Sequence, residues 1–372
     1  MTDTELLSQR VVCALKTAFI GDALAMPVHW YYNPADIFHQ FPDGIRQFED
    51  APEHHPSSIM SLHSTSQGGR RQRASGSARE IIGEVILKGR RQFWEQPGCH
   101  YHHGMTAGQN TLNAHCARVL LRTLAEQGGQ YHQDRFLDAY IAFMTADPPR
   151  HPDTYAESYH RGFFANLEAG KPASRCGAVT HDTASIGGLV GIVPLALTGL
   201  LQGTSRADVQ ERCRQHLLLT HPDQDLAQIC GYLVRLLDAL LRCQDRDEGR
   251  DILNQCAHDS AGLDLHKLTK KCRSDREVIG GLFSPACYIS GSWPGVLYLA
   301  YRYLGESDAG LLANANLGGD NVHRGFVLGS LLGLLDSTAE IRFFQQLKDR
   351  HQLTREFEAI LPETRIPQGS TL

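Results

Sequence analysis

Residues 321–333 read NVHRGFVLGSLLG. Gly325, Gly329 and Gly333 recur at every fourth position, so in a helix they share one face and leave it without side chains. Such a face lets a second helix approach to backbone distance, and this stretch is expected to be the central helix of the fold. The segment before it, LGGDNVH (317–323), is a glycine-rich loop that delivers residues to the helix amino terminus. Free N–H groups and the helix dipole favour an anion there.

Helical spacing continues away from this centre. Apolar residues recur at Val12, Leu15 and Phe19; at Leu112, Cys116, Val119, Leu120 and Leu124; and at Leu226, Ile229, Leu233, Leu236, Leu237 and Leu240. No comparable alternating, β-branched run competes, so the chain is expected to be all-α. HDTASIGGLVGIVPLALTGL (181–200) is nearly all apolar or small and should be buried, with Pro194 either kinking it or starting a new helix. Turn signals at EQGGQ (126–130), DPPRHPD (147–153) and GSWPG (291–295) should separate helices. With no polar linker and no internal repeat, residues 1–372 read as one compact helical domain. Residues 45–105 read as a loop-rich insertion over a cleft, including the basic run GRRQR (69–73), and 356–372 as a flexible tail.

The 372 residues are 42% hydrophobic and carry a net charge of -5, enough for a sizeable core but without the cationic excess that nucleic acid requires. The amino terminus MTDTELLSQR has neither a basic nor an apolar leader region, and no segment is expected to reach the length of a membrane span. A cytoplasmic protein is the expectation. The ten cysteines form no CxxC pair and read as reduced, mostly buried thiols, Cys287 among them.

Four small, polar, glycine-containing stretches adjoin these helices: GDALAMPVHW (21–30), AGQNTLNAH (107–115), THPDQDL (220–226) and LGGDNVH (317–323). Singly, Asp22, Asp320, Asn110 and Thr111 could be helix caps. Together with GGLVGIVPLAL and GSWPGVLYLAY, and in this order from about Val11 to Leu335, they resemble the ADP-ribosylglycohydrolase family, in particular its branch similar to J1 crystallins and selenoprotein J.

The resemblance implies an all-helical orthogonal bundle with a cleft for ADP-ribose and, ordinarily, two magnesium ions. The family's Thr-Asp-Asp-Thr and Gly-Asp-Thr-Asp-Thr stretches correspond here to Gly108, Gln109, Asn110, Thr111 and to Gly319, Asp320, Asn321, Val322, His323. One aspartate stands where four are usual. Two magnesium ions want oxygen ligands and carboxylate charge, so the dinuclear site is expected to be lost, with no cofactor and no metal in its place. His29 takes a position often held by glutamate in related hydrolases.

The resemblance makes Asp320, His323 and His29 the candidate catalytic residues, Asp320 orienting water or a ribose hydroxyl and the imidazoles moving protons. Gln109, Asn110, Thr111, Gly318, Gly319, Asn321, Ser292 and Trp293 are the candidate ligand contacts, Trp293 as a stacking surface. The expected partner is a small nucleotide or an ADP-ribosylated substrate, with neither nucleic acid nor membrane. Two functions remain open: hydrolysis of a ribosyl glycosidic bond without the magnesium pair, or a non-catalytic binding module or crystallin-like scaffold. His100, His102 and His103 in HYHHG, with His115, form a competing metal-ligand pattern whose spacing matches no common zinc motif.

Overall fold

A computed structural model of the chain describes residues 3–62, 79–336 and 342–362. In order, its α-helices are α1 (Asp3–Ala25), α2 (Pro34–Gln40), α3 (Leu112–Glu126), α4 (Gln133–Met144), α5 (Ser158–Glu168), α6 (Ile192–Leu201), α7 (Arg206–Leu218), α8 (Gln224–Arg242), α9 (Arg246–Ala261), α10 (Leu265–Lys271), α11 (Asp275–Val278), α12 (Ile289–Arg302), α13 (Ser307–Leu317), α14 (Asn321–Gly333) and α15 (Arg350–Glu358). Strand-like pairing among the described residues is confined to isolated bridges such as His54 with Cys99. The fold is all-α, as the periodicity requires.

Helix α14 lies against α1 along its glycine face, and every residue of α14 is buried. A Cβ on Gly325 would lie 2.7 Å from the Gly21 carbonyl oxygen, and one on Gly329 would lie 2.3 Å from that of Thr17. Neither position has room for a side chain. Thr17 uses the closeness, its Oγ1 donating to Gly329 O at 2.6 Å. Around this pair the amphipathic helices close the core. Helix α8, for example, buries Leu226, Leu233, Leu236, Leu237 and Leu240 and is capped by Asp223, which accepts from the Leu226 N–H. Each such leucine contributes about 2 kcal/mol.

Several expectations need correction. Asp3–Val28 is long and apolar enough to cross a bilayer by length and composition, but 89% of that window is buried inside the fold. Its apolar surface is covered by neighbouring helices. GSWPG (291–295) is no turn: it lies within α12, Pro294 included. A proline inside a helix costs about 3 kcal/mol, and burial of Trp293, Val296 and Leu297 outweighs it. Pro194 falls in the first turn of α6, after the short turn Ile186–Leu189, so it starts a helix rather than kinking one. The tail cannot begin at 356, because Phe357 is buried and Glu356 pairs with Arg118 at 2.9 Å.

Of the 45–105 insertion, residues 63–78 with the basic run lie outside the described residues. The rest forms short turns, yet Ile45, Phe48, Met60, Val85 and Trp94 pack into the core. All ten cysteines are free.

Candidate active site

His29 follows the single turn Met26–Val28 that extends α1. The next residue, Trp30, has φ +62°, a left-handed backbone rare for a bulky side chain. Backbone bonds hold it there: Trp30 N–H donates to Gly319 O, and Gly319 N–H donates to Tyr31 O, both at 2.8 Å. Gly318 and Gly319, each at φ +66°, make room for this, since a Cβ would lie 2.1 Å from the carbonyl oxygen of Tyr31 or of Pro285 respectively. The two glycines read from the sequence as space for a ligand are occupied by the protein's own backbone.

This crossing brings His29 Nε2 within 3.0 Å of Asp320 Oδ1. On the far side of the ring, His29 Nδ1 meets His102 Nε2 at 2.7 Å, and His102 Nδ1 meets Asp153 Oδ1 at 2.8 Å. Asp153 Oδ2 in turn accepts from the Leu112 N–H at the start of α3. From the first turn of α14, His323 places Nδ1 2.7 Å from Asp320 Oδ1 and Nε2 2.9 Å from Glu157 Oε1. Asn113 Nδ2 donates to Glu157 at 3.1 Å and lies 2.8 Å from His323 Nε2. Its Oδ1 accepts from the Tyr159 hydroxyl at 2.7 Å. All of these groups are buried.

The electrostatics divide the cluster. Burial, only partly countered by Asp320, pushes the His29 imidazole down to about 3, so it is neutral at pH 7. Burial also works against the charged form of His323, but the carboxylates of Asp320 and Glu157 outweigh it and hold the imidazolium well above its usual range. Asp320 faces the same burial penalty and is nevertheless held below the usual carboxylate range by His323 and His29. Asp320 Oδ2, Asn321 Oδ1 and His323 Nδ1 have no hydrogen-bond partner. The 2.7 Å approach of His323 Nδ1 to Asp320 is therefore close but out of line. A cavity of about 10 Å³ touches His29, His102, Asn113, Glu157 and His323, room for about one water.

The three candidate catalytic residues thus come together. Of the candidate ligand contacts, Thr111 lines the cavity beside them and the others do not. Asn110 and Thr111 turn to Asp22, which lies inside α1 rather than capping it: Asn110 Nδ2 donates at 2.8 Å, Thr111 N–H at 2.9 Å and Thr111 Oγ1 at 2.6 Å. Gln109 accepts from the Thr106 N–H and lines a separate surface pocket of about 380 Å³ with Arg118, Arg122 and His151. Asn321 Nδ2 donates to Ala315 O, and Ser292 Oγ to Tyr288 O. Trp293 is a core aromatic whose indole N–H donates to Ser260 Oγ at 2.9 Å, so its ring has no free face for stacking. Burial pushes the Cys287 thiol far up, which keeps it protonated.

The four histidines of the competing pattern do not converge. His100 bonds Pro27 O, His102 enters the cluster, His103 is solvent-facing against Phe93, and His115 sits beside Arg118 on α3. His102, Asn113, Asp153 and Glu157 were not singled out as members of the central cluster. Asp153 and Glu157 stand four residues apart just ahead of α5, a signal hidden by the prolines that mark the region as a turn.

The family model for ADP-ribosylglycohydrolase matches residues 3–368, and the chain belongs to that family. A solved structure described as an ADP-ribosylglycohydrolase-related protein complex superposes with a TM-score of 0.56, at 18% identity, covering 96% of this chain and 98% of that one. At that identity the likeness is one of fold. No curated protein compared with the chain matches it.

Proposed function

We propose that the buried cluster is a centre for hydrolysis of a ribosyl glycosidic bond, in a member of the family's J1-crystallin and selenoprotein J-like branch. The ligand is ADP-ribose or a related ribosyl or nucleotide compound. One observation carries this reading: His29, Asp320 and His323 meet from two distant segments, with one oxygen of a buried carboxylate left unbonded. A scaffold without a task has no need of such a group, since burying unpaired polar atoms costs stability.

Cleavage at the anomeric carbon builds positive charge on the ribose ring. Asp320 orients the attacking water or a ribose hydroxyl, and His323 carries the proton that the leaving group needs. The donors argue against a magnesium pair. Two such ions bring four positive charges, whereas Asp320 and Glu157 are the carboxylates beside His323 and the other donors are imidazole nitrogens. Asp22 already accepts from three donors of its own. A nucleotide, too large for the 10 Å³ cavity, would lie at the mouth. Tyr32, 47% exposed and close enough for its phenol to feel the charge of Asp320, offers one surface for it. Thr111 acts by shaping the cavity wall.

The smallness of the cavity favours a second reading, a non-catalytic binding module or crystallin-like scaffold. Calorimetric titration of ADP-ribose with and without magnesium, followed by assay of ADP-ribosylated substrates for release of the ribosyl group, separates the two. The expected result is binding and turnover indifferent to magnesium. Binding that requires magnesium overturns the charge reasoning, and no binding in either buffer supports the scaffold.

A further inference from the structure

Asp153, His102, His29 and Asp320 form a chain of three contacts at hydrogen-bonding distance, ending in a carboxylate at each side. His323 stands between Asp320 and Glu157 at 2.7 and 2.9 Å. The two arms meet at the same atom, Asp320 Oδ1.

Two imidazole nitrogens, His29 Nε2 and His323 Nδ1, thus face one carboxylate, Asp320, at 3.0 and 2.7 Å, and the ligand atoms that the three residues can offer lie within 4.8 Å of one another. We infer that His29, Asp320 and His323 form a mononuclear site for a divalent transition-metal ion of the zinc type. This departs from the sequence-based expectation of no metal; with an ion bound, His323 would hold it rather than carry a proton, and the site does not depend on which ribosyl compound the protein takes.

Four further features fit an ion at this place. Two imidazole nitrogens and one carboxylate are the donor set of zinc and its transition-metal neighbours, not of magnesium. The out-of-line 2.7 Å approach of His323 Nδ1 to Asp320 is poor for a hydrogen bond and natural for two ligands that share a cation. Both imidazoles are held from behind, His29 by His102 and Asp153 and His323 by Glu157, which is how ligating histidines are oriented and made more basic. The cavity beside both rings has room for one water as an additional ligand.

The test uses the full chain, stripped with a chelator and confirmed as folded by circular dichroism. Zinc chloride is titrated calorimetrically, and cobalt(II) is added while its visible d–d bands are followed. One equivalent should bind, excess magnesium should not displace it, and cobalt should give the spectrum of a site with nitrogen and oxygen ligands. His29→Gln, Asp320→Asn and His323→Gln should each weaken binding by at least about 100-fold, and His102→Gln, which touches a ligand but is not one, by about 10-fold or more. His103→Gln, at the surface, should change nothing. His102→Gln keeps the test decisive if a ligand variant fails to fold. Failure of the folded protein to take up either ion would overturn the inference. Binding that survives the ligand variants would do the same, by placing the ion on other side chains. Because metal uptake is read directly, either result leaves the glycosidic reading to its own assay.

Discussion

Two aspartates, each following a glycine, are buried at neighbouring places in the fold and behave in opposite ways. Asp22 accepts three bonds from Asn110 and Thr111, one from a backbone N–H and two from side chains, all neutral donors. Asp320 faces two imidazoles through one oxygen and leaves the other without a partner. The first arrangement is complete and ties the entrance of α3 to α1. The second is incomplete and surrounded by groups that exchange protons. Burial alone does not set Asp320 apart from Asp22; what sets it apart is what remains unbonded.

The contrast can be broken by substitution. The largest effect on stability should come from Asp22→Ala, which strands three buried donors and should cost about 3–5 kcal/mol in chemical unfolding. Survival of the variant at near-wild-type stability would remove the distinction. Asp320→Ala should do the reverse, reducing turnover of a ribosyl substrate at least about 100-fold, or about 2.7 kcal/mol, while the unfolding free energy shifts by about 1 kcal/mol or less.

Protons sharpen it further. Buried His216, bonded to Tyr131, has its imidazole pushed down by burial to about 4 from 6.5. The unfolded chain therefore binds the extra proton first. Stability from this group is full above pH 6.5, erodes as pH falls towards 4 and levels off below. From pH 6.5 to about pH 5 the loss should be about 2 kcal/mol, and His216→Gln should flatten that part of the profile. The smallest effect belongs to Thr111→Val, which removes one of the three bonds to Asp22 and should cost about 1 kcal/mol with turnover nearly unchanged. A large loss of turnover instead would return Thr111 to the ligand.

The helices were legible because their signals are local. The glycines at 325, 329 and 333 announce a close neighbour, and the apolar spacing of 226–240 announces a buried face. The partners of the site were only half legible. His29, Asp320 and His323 lie in stretches whose composition stands out, whereas His102, Asp153 and Glu157 reach them through contacts between segments 44 to 73 residues or more apart, as in Asn113 with Glu157 and His29 with His102. No periodicity encodes such contacts. Trp293 was misplaced for a related reason: its flanking glycine and proline suggest a loop, and only the packing around α12 shows that burial prevails.

The seam between α1 and α14 has a consequence for how this chemistry could change. Backbone touches backbone there, at Gly21 with Gly325 and at Thr17 with Gly329, so the spacing of the two helices owes nothing to flexible side chains. A slip of one residue would move an end by about 1.5 Å, enough to part His29 from Asp320. The seam acts as a fixed ruler whose far end holds interchangeable tools. A change of side chain at position 29, 320 or 323 therefore leaves the spacing of the frame as it is.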